Sequence, residues 1–453
     1  MRILNKVEKG RYLDSVALMR ASRRLAALQG VEAASLMIGT PSNKALLREA
    51  NLLAPEGEAA GPNDLIIALR AFDAPAALTA ALEILSEKPE TQMQGLRHAR
   101  SLAGALELET RANLAIISVP GAYAAHEARK ALARGLNVLL FSNNVSLEDE
   151  VALKRFAKER NLFLMGPDCG TALIAGTPIA FANVVPRGGI GIISASGTGL
   201  QEVSTLIARL GGGVSHGIGV GGRDLDERVG ALGTLAAIEA LEGDPATNKI
   251  VLISKPPAPA LARQVLERVK RSHKPAVVCF LGSQEPGLAR TLTETAELAA
   301  GKKLPREGFD VGKRRGSVRG LYCGGTLCAE AELIFGERKG HQFIDLGDDR
   351  FTRGRPHPMI EPELRNEHIA AAVQDRQVAV LLVDVVLGFG AHENPAAVLV
   401  KNNFSSKVVI ASVTGTEGDP QGLSRQTAIL REGGVVVAPS NARAAELAAS
   451  LVS

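Results

Sequence analysis

Gly191-Ile192-Ile193-Ser194-Ala195-Ser196-Gly197-Thr198-Gly199 and Gly320-Leu321-Tyr322-Cys323-Gly324-Gly325-Thr326-Leu327 carry one phrase twice: an apolar strand-like run, a turn of small residues, then an Ala/Glu-rich helical run. Leu200-Gln201-Glu202-Val203 continues the first and Cys328-Ala329-Glu330-Ala331-Glu332 the second. Glycine lets backbone amides approach a ligand, a Ser or Thr hydroxyl adds a donor, and a helix start carries about half a positive charge. Each unit therefore predicts an anion site. Ile250 and Val378 open a second apolar strand 52 residues beyond each threonine (198 to 250, 326 to 378). Lys274-Pro275-Ala276-Val277-Val278 is answered further on by Lys407-Val408-Val409-Ile410. Strand runs alternating with helical runs give parallel sheets, whose ligands collect at the carboxyl ends of strands. The chain thus reads as α/β, with two copies of a doubly wound, flavodoxin-like domain at 185–305 and 316–453.

Two smaller modules precede them. Residues 1–95 read as a ferredoxin-like α/β module, with strands at 2–7, 33–38 and 64–70 and helices at 14–29, 42–52 and 75–86; Leu18, Ala21, Leu25 and Leu28 fall on one face of the first helix. Residues 111–184 read as half of a Rossmann-like, CoA-binding-like domain that no G-x-G-x-x-G opens. Ser146 stands as an N-cap with Asp149 in the capping-box position.

Composition sets outer bounds. The 453 residues hold 52 Lys+Arg against 48 Asp+Glu, a net charge of +4 too small and dispersed for a DNA footprint. Aromatics make up 3% and Trp is absent, which argues against stacking platforms for single-stranded nucleic acid. The basic run Lys313-Arg314-Arg315 reads as a solvated linker between the two copies. Four cysteines, at 169, 279, 323 and 328, match no zinc spacing and imply a reducing compartment. No run of about 18 apolar residues occurs, and no apolar signal core follows Met1, so the expectation is a cytoplasmic protein without membrane contact.

Taken together, these motifs resemble the succinyl-CoA synthetase superfamily. Gly166-Pro167-Asp168-Cys169-Gly170 is similar to the G-P-N-C-P-G of its α subunit, Gly191 to Thr198 to V-G-I-V-S-R-S-G-T, and Ile218 to Gly222 to V-G-I-G-G. Phe343-Ile344-Asp345-Leu346-Gly347 is similar to the β subunit's F-L-D-V-G-G, and Val380 to Gly390 to V-L-V-N-I-F-G-G. Leu346-Gly347-Asp348-Asp349 and Gly354-Arg355-Pro356-His357-Pro358 extend the resemblance to a fused subgroup, the FdrA family of acyl-CoA synthetase-like proteins. The chain departs from the synthetases at several points. It has no ATP-grasp domain, and the ferredoxin-like module replaces the first half of the CoA-binding fold. Ser283 to Leu298 contains no histidine where the synthetases carry their phosphohistidine, and Lys255 stands near their orienting glutamate.

The resemblance implies a subunit of an oxamate carbamoyltransferase that converts oxalurate and phosphate to oxamate and carbamoyl phosphate in allantoin breakdown. Such a subunit would need no cofactor of its own, leave CoA and nucleotide binding doubtful, act with two companion proteins, and have the option of a homodimer. The alternatives are an NDP-forming acyl-CoA ligase and a non-catalytic scaffold. On this reading Ser196, Gly197, Thr198 and Gly199 hold phosphate opposite Gly324, Gly325 and Thr326. Pro167, Asp168, Cys169, Gly170, Gly388, Phe389, Gly390 and Ala391 line the substrate side.

For several side chains two readings stay open. Lys255 either stabilises phosphoryl charge or is a surface lysine before two prolines. His392 is a base or phosphoryl acceptor, or an exposed histidine. Arg355 and His357 clamp a carboxylate, or brace a proline loop. Cys169 is a nucleophile, or a small packed residue. Asp345, Asp348 and Asp349 hold Mg²⁺, or form an acidic turn without ligand, and no metal is expected.

Overall fold

The two phrases lie where two sheets end against a shared layer of helices. The computed structural model describes residues 1–11, 13, 15–86, 99, 101–306, 308–309, 311–352, 356–404 and 407–452. The chain divides into two compact units, 1–98 with 349–356 and the remainder, each described here by itself.

The first unit contains β1 (Arg2–Glu8), α1 (Ser15–Ala26), β2 (Val31–Ile38), α2 (Pro41–Glu49), α3 (Pro55–Glu58), β3 (Leu65–Ala71) and α4 (Ala74–Ser86). Its sheet runs β1-β3-β2, antiparallel on both sides of β3, the split βαβ arrangement of a ferredoxin-like module. Leu18, Ala21 and Leu25 of α1 and Ala74, Ala77 and Ala81 of α4 cover one face with Leu65, Ile67 and Leu69. Leu47, Leu52 and Ala60 cover the other face with Ile66 and Ala68. The helix expected to reach residue 29 stops at Ala26, because the Leu28 amide turns back to the Leu25 carbonyl; Leu28 is left exposed.

The second unit opens with α5 (Leu102–Leu108), β4 (Leu114–Ile117), α6 (Gly121–Ala133), β5 (Asn137–Leu140), α7 (Leu147–Lys158) and β6 (Leu164–Met165), whose three strands form a parallel sheet. Ser146 does cap α7: its Oγ accepts the Asp149 amide at 3.0 Å. A hairpin, β7 (Thr171–Ile174) and β8 (Thr177–Ala180), then leaves this sheet and joins the next one, pairing antiparallel with β10.

That next sheet holds β9 (Arg187–Ser194), α8 (Gly197–Arg209), β10 (Val214–Gly219), α9 (Leu232–Gly243), β11 (Lys249–Ser254), α10 (Pro259–Lys270), β12 (Ala276–Phe280) and α11 (Leu292–Ala300), with strand order β12-β11-β9-β10-β7-β8. The second copy holds β13 (Ser317–Tyr322), α12 (Gly325–Phe335), β14 (Gln342–Asp345), the short α13 (Asp349–Thr352) of the first unit, α14 (Asn366–Gln374), β15 (Val378–Val386), α15 (Pro395–Val400), β16 (Val408–Thr414), α16 (Leu423–Glu432), β17 (Val436–Ala438) and α17 (Asn441–Leu451). Its five parallel strands run β14-β13-β15-β16-β17, the flavodoxin-like order 2-1-3-4-5. Between the copies Gly312 to Gly316 is exposed, as a solvated linker should be.

One apolar core spans both copies. Leu200, Val203 and Ile207 of α8 and Ala296 of α11 meet Leu327, Ala331 and Phe335 of α12 and Ala444, Ala445 and Ala448 of α17. Small alanines let these helices approach closely. Two buried carboxylates cross the seam, each four residues beyond a loop threonine. Glu202 of α8 accepts the amide of Asn441, the first residue of α17, at 3.0 Å. Glu330 of α12 accepts the amide of Leu292, the first residue of α11, at 2.6 Å. Each copy thus caps a helix of the other, an exchange expected of a pseudo-two-fold axis.

Burial raises the Glu330 carboxyl to about 8, outweighing the Asn441 and Leu292 donors. Because the folded value lies above the ordinary carboxylate value, folding favours the protonated form, and stability falls as pH rises from about 4.5 to 8. Glu330→Gln keeps an acceptor for Leu292 and removes the ionisation. The melting temperature of the variant relative to the unaltered chain should therefore climb across that pH window, measured by calorimetry at several pH values.

Candidate functional site

Both phrases stand at topological switch points, β9 between β10 and β11, β13 between β14 and β15, where crevices form at the strands' carboxyl ends. Ser196 leaves β9 in extended conformation and caps α8, its Oγ accepting the Gly199 amide at 2.9 Å. The same Oγ lies 2.6 Å from Thr326 Oγ1 at the start of α12. In the mirrored contact, Thr198 Cγ2 would be 3.1 Å from a methyl group placed on Gly324. Among the described residues, the amides of Gly197 and Thr198 in α8 and of Gly325, Thr326 and Leu327 in α12 have no protein acceptor. The predicted phosphate-binding residues are therefore brought together, with two helix N-termini hydroxyl to hydroxyl.

The two halves are not equivalent. In the first copy the Ala195 amide bonds the Ile253 carbonyl at 3.0 Å. In the second, a side chain takes over: Asp384, wholly buried in β15, accepts the Cys323 and Gly324 amides, each at 2.8 Å. Arg365, also buried, secures Asp384 through its carbonyl at 2.8 Å and Oδ1 at 3.1 Å. Asp345, at the end of β14, holds the Gly347 amide on Oδ1 at 2.9 Å. Its Oδ2 lies 2.5 Å from where a Cβ on Gly325 would stand. Burial, with the charges of Asp384 and Asp348 acting the same way, lifts the Asp345 carboxyl to about 6 against the Gly347 amide and Lys255. His357 packs against Gly347, accepts the Met359 amide on Nδ1 at 3.2 Å, and is pushed down to about 4 by burial and then Arg365. Near neutral pH it is an uncharged imidazole with its proton on Nε2.

Asp168, Cys169 and Gly170 join the first phrase directly. With Thr171, Ser194 to Gly197, Gly219 and Gly221 they line a crevice of about 10 Å³. Pro167 stands one residue outside it, and its carbonyl is packed so closely against Gly221 that a methyl group there would collide. Cys169 is buried with its thiol raised to about 12 by desolvation, which suits a packed residue and not a thiolate nucleophile. Gly388, Phe389, Gly390 and Ala391 do not line this crevice, and the first three pack on Phe181 and Ala182, a segment that bonds the crevice residues Gly170, at 2.8 Å, and Thr171, at 2.7 Å. Gly388 donates to Gln421 at 3.0 Å, Phe389 to the Ala182 carbonyl at 2.9 Å, and Gly390 faces the Phe181 ring. His392 accepts the Asn394 amide on Nδ1 at 3.0 Å and donates its own amide to Met359, leaving Nε2 as its outward nitrogen. Arg355 lies outside the described residues. Lys255 is exposed and lines a cleft of about 370 Å³ with Pro256, Leu281, Ala329, Glu332, Leu333 and Gly336, along the flank of α12. From there its charge favours ionisation of Asp345.

Sequence reasoning did not single out Asp384 or Arg365. Asp384 had a signal, a lone charge within the apolar run Val378–Val386. Arg365 had none.

Comparison with known proteins places this geometry. The uncharacterized protein YahF of Escherichia coli strain K12 is 41% identical over 504 aligned residues, covering 98% of each chain. The chain belongs to the YahF family. Residues 321–451 also match the CoA-ligase family, and residues 1–101 a family described as AllF, heavy metal-associated domain. The α-2 subunit of the mitochondrial ADP-forming succinate–CoA ligase of Trichomonas vaginalis is 28% identical over 220 residues, 47% of this chain and 66% of that one. This chain therefore spans just under two thirds of that subunit. A dinucleotide-forming acetyl-coenzyme A synthetase of Ca. Korarchaeum cryptofilum, solved with phosphate and ADP, is 17% identical, with a TM-score of 0.35 over 81% of this chain and 87% of that one. Residues 321–451 thus carry a CoA-ligase-like domain, and just under half of the chain is similar to the α subunit of succinate–CoA ligase.

The first cysteine of the chain is Cys169, so residues 1–101 supply no thiolate, and among the described residues no cluster of metal-ligating side chains occurs. The residues do not fit a heavy-metal site. No helix among the described residues is long and apolar enough to cross a membrane.

Thr326→Val keeps the shape of the α12 start and removes its hydroxyl. If this turn holds phosphate as the sequence predicts, the variant's affinity for inorganic phosphate should fall about tenfold, as for loss of one hydrogen bond to a charged group. Calorimetric titration of both proteins measures this.

Proposed function

We propose that the chain binds an acyl phosphate, or the phosphate and acid that combine to form it, between the starts of α8 and α12. The observation that carries this reading is the 2.6 Å contact between Ser196 and Thr326, which sets two helix starts with unspent leading amides against each other. Charge that develops on phosphoryl oxygens during acyl transfer would meet fixed amides and hydroxyls, which need no reorganisation. The segment after β12 supports direct handling of the acyl phosphate. It contains no histidine, and it runs into α11, whose first amide is committed to Glu330.

Two reactions fit such a site. The match to the CoA-ligase family and to succinate–CoA ligase subunits favours an acid–CoA ligase-type step, in which CoA attacks the acyl phosphate. Lys255, in place of an orienting glutamate, favours the second: phosphate-dependent cleavage of oxalurate to oxamate and carbamoyl phosphate, without CoA and together with companion subunits. On either reading Lys255 and His392 remain candidates for the catalytic set, Lys255 through charge and His392 through Nε2.

Calorimetry with CoA and ADP, and an oxalurate phosphorolysis assay with and without the companion proteins, separate the two reactions. CoA binding without oxalurate cleavage supports the ligase; cleavage without CoA binding supports the carbamoyltransferase. In the second case Lys255→Ala should weaken carbamoyl phosphate binding by about tenfold, the worth of one charge-assisted contact. Absence of phosphate binding altogether would leave the scaffold reading.

A further inference from the structure

We propose that Asp345 is the proton acceptor and donor of the acyl-transfer step at the start of α12; this rests on the acyl-phosphate reading above. Register fixes its place: β14 pairs with β13 so that Asp345 stands beside Tyr322, immediately before the Cys323-Gly324-Gly325 turn. Oδ1 is immobilised by the Gly347 amide at 2.9 Å. Oδ2 accepts no hydrogen bond from any described residue and looks onto Gly325, where any side chain would strike it. The glycine therefore opens a line between this oxygen and the amides of Gly325 and Thr326. The other carboxyls of the neighbourhood are committed. Asp384 is taken up by two amides and Arg365, and Glu330 by Leu292 and Asn441.

The surroundings suit proton exchange. The charges of Asp384 from β15 and Asp348 from the following turn act to hold a proton on Asp345 and that of Lys255 from the end of β11 to release one, Cys323 and Cys328 are protonated thiols, and His357 against Gly347 is neutral. Burial and these two aspartates bring the carboxyl to about 6, near the working range of a general acid–base group. In the forward step the nucleophile's nitrogen or sulfur bonds to the acyl carbon and its proton passes to Asp345 Oδ2. The acyl C–O bond breaks with its electron pair on phosphate. In reverse, phosphate oxygen attacks the acyl carbon and Asp345 returns the proton to the departing nitrogen or sulfur. No oxidant or reductant enters.

Asp345→Asn retains the acceptor for Gly347 and removes the exchangeable proton. Acyl transfer, followed as phosphate release from acetyl phosphate with CoA or from carbamoyl phosphate with oxamate, should drop about a hundredfold in kcat/KM and lose its pH limb near 6. A second readout needs no turnover. Sulfate stays a dianion over this range and favours protonated Asp345. Calorimetry in buffers of differing ionisation enthalpy should then show proton uptake on sulfate binding by the unaltered chain and none by the variant. The variant should also bind sulfate more tightly at pH 7, because a negative charge has left the site. Equal proton uptake in both proteins, or unchanged turnover and pH profile in the variant, overturns the assignment of Asp345 alone. Failure of the unaltered chain to bind sulfate or phosphate overturns the acyl-phosphate reading with it.

Discussion

Everything at the candidate site depends on two buried carboxylates that each cap a helix from the opposite copy. A carboxylate removed from water costs several kcal/mol unless it is hydrogen-bonded or protonated. Glu202 draws the Asn441 amide and the Thr414 hydroxyl from the opposite copy, and Glu330 draws the Leu292 amide from the opposite copy and the Asn441 side-chain amide from its own. The exchange fixes the lateral position of α8 against α12. Once that is fixed, Ser196 and Thr326, about two turns and one turn nearer the helix starts, are brought together. Asn441 tightens the coupling further, giving its main-chain amide to Glu202 and its side-chain amide to Glu330.

The duplication makes the frame, and departures from it make the chemistry. Where the first copy satisfies its loop with the Ile253 carbonyl, the second uses Asp384 backed by Arg365. One helix start therefore shares its crevice with Asp168, while the other sits between Asp384 and Asp345. A phosphoryl group placed between them meets a polarised pair of walls, and a proton has a defined side on which to travel. Lys255 lies along the same acidic side, and its charge tempers that polarity without entering the crevice beside Ser196.

Most of the fold was legible because its signals are local and periodic. Alternating apolar runs and helical runs gave the doubly wound copies, the 52-residue spacing gave their equivalence, and Ser146 with Asp149 gave a helix start confirmed to its hydrogen bond. The meeting of the two small-residue turns was implied by the family resemblance and not by local pattern. What could not be read depends on contacts between distant parts of the chain. Nothing in the local pattern says that the hairpin at 171–180 abandons its own sheet, that Lys255 falls along the flank of α12, or that Gly388 to Ala391 is secured by Ala182 and Gln421. Asp384 was visible as an odd charge in a strand, but its meaning needed the loop it serves.

The reciprocal caps also bear on how such a chain can be divided. The exposed linker from Gly312 to Gly316 joins the copies at the surface, where Arg314 bridges to Val452 and gives its amide to the Leu451 carbonyl at 2.7 Å. After a cut in this linker each fragment would keep a glutamate whose partner amide sits in the other fragment, along with the apolar flank of a helix pair. Neither piece would gain by remaining alone in water. A gene split at that point would encode two polypeptides that reach their native state as a matched pair, in fixed one-to-one proportion, so the covalent join sets dosage more than it sets architecture.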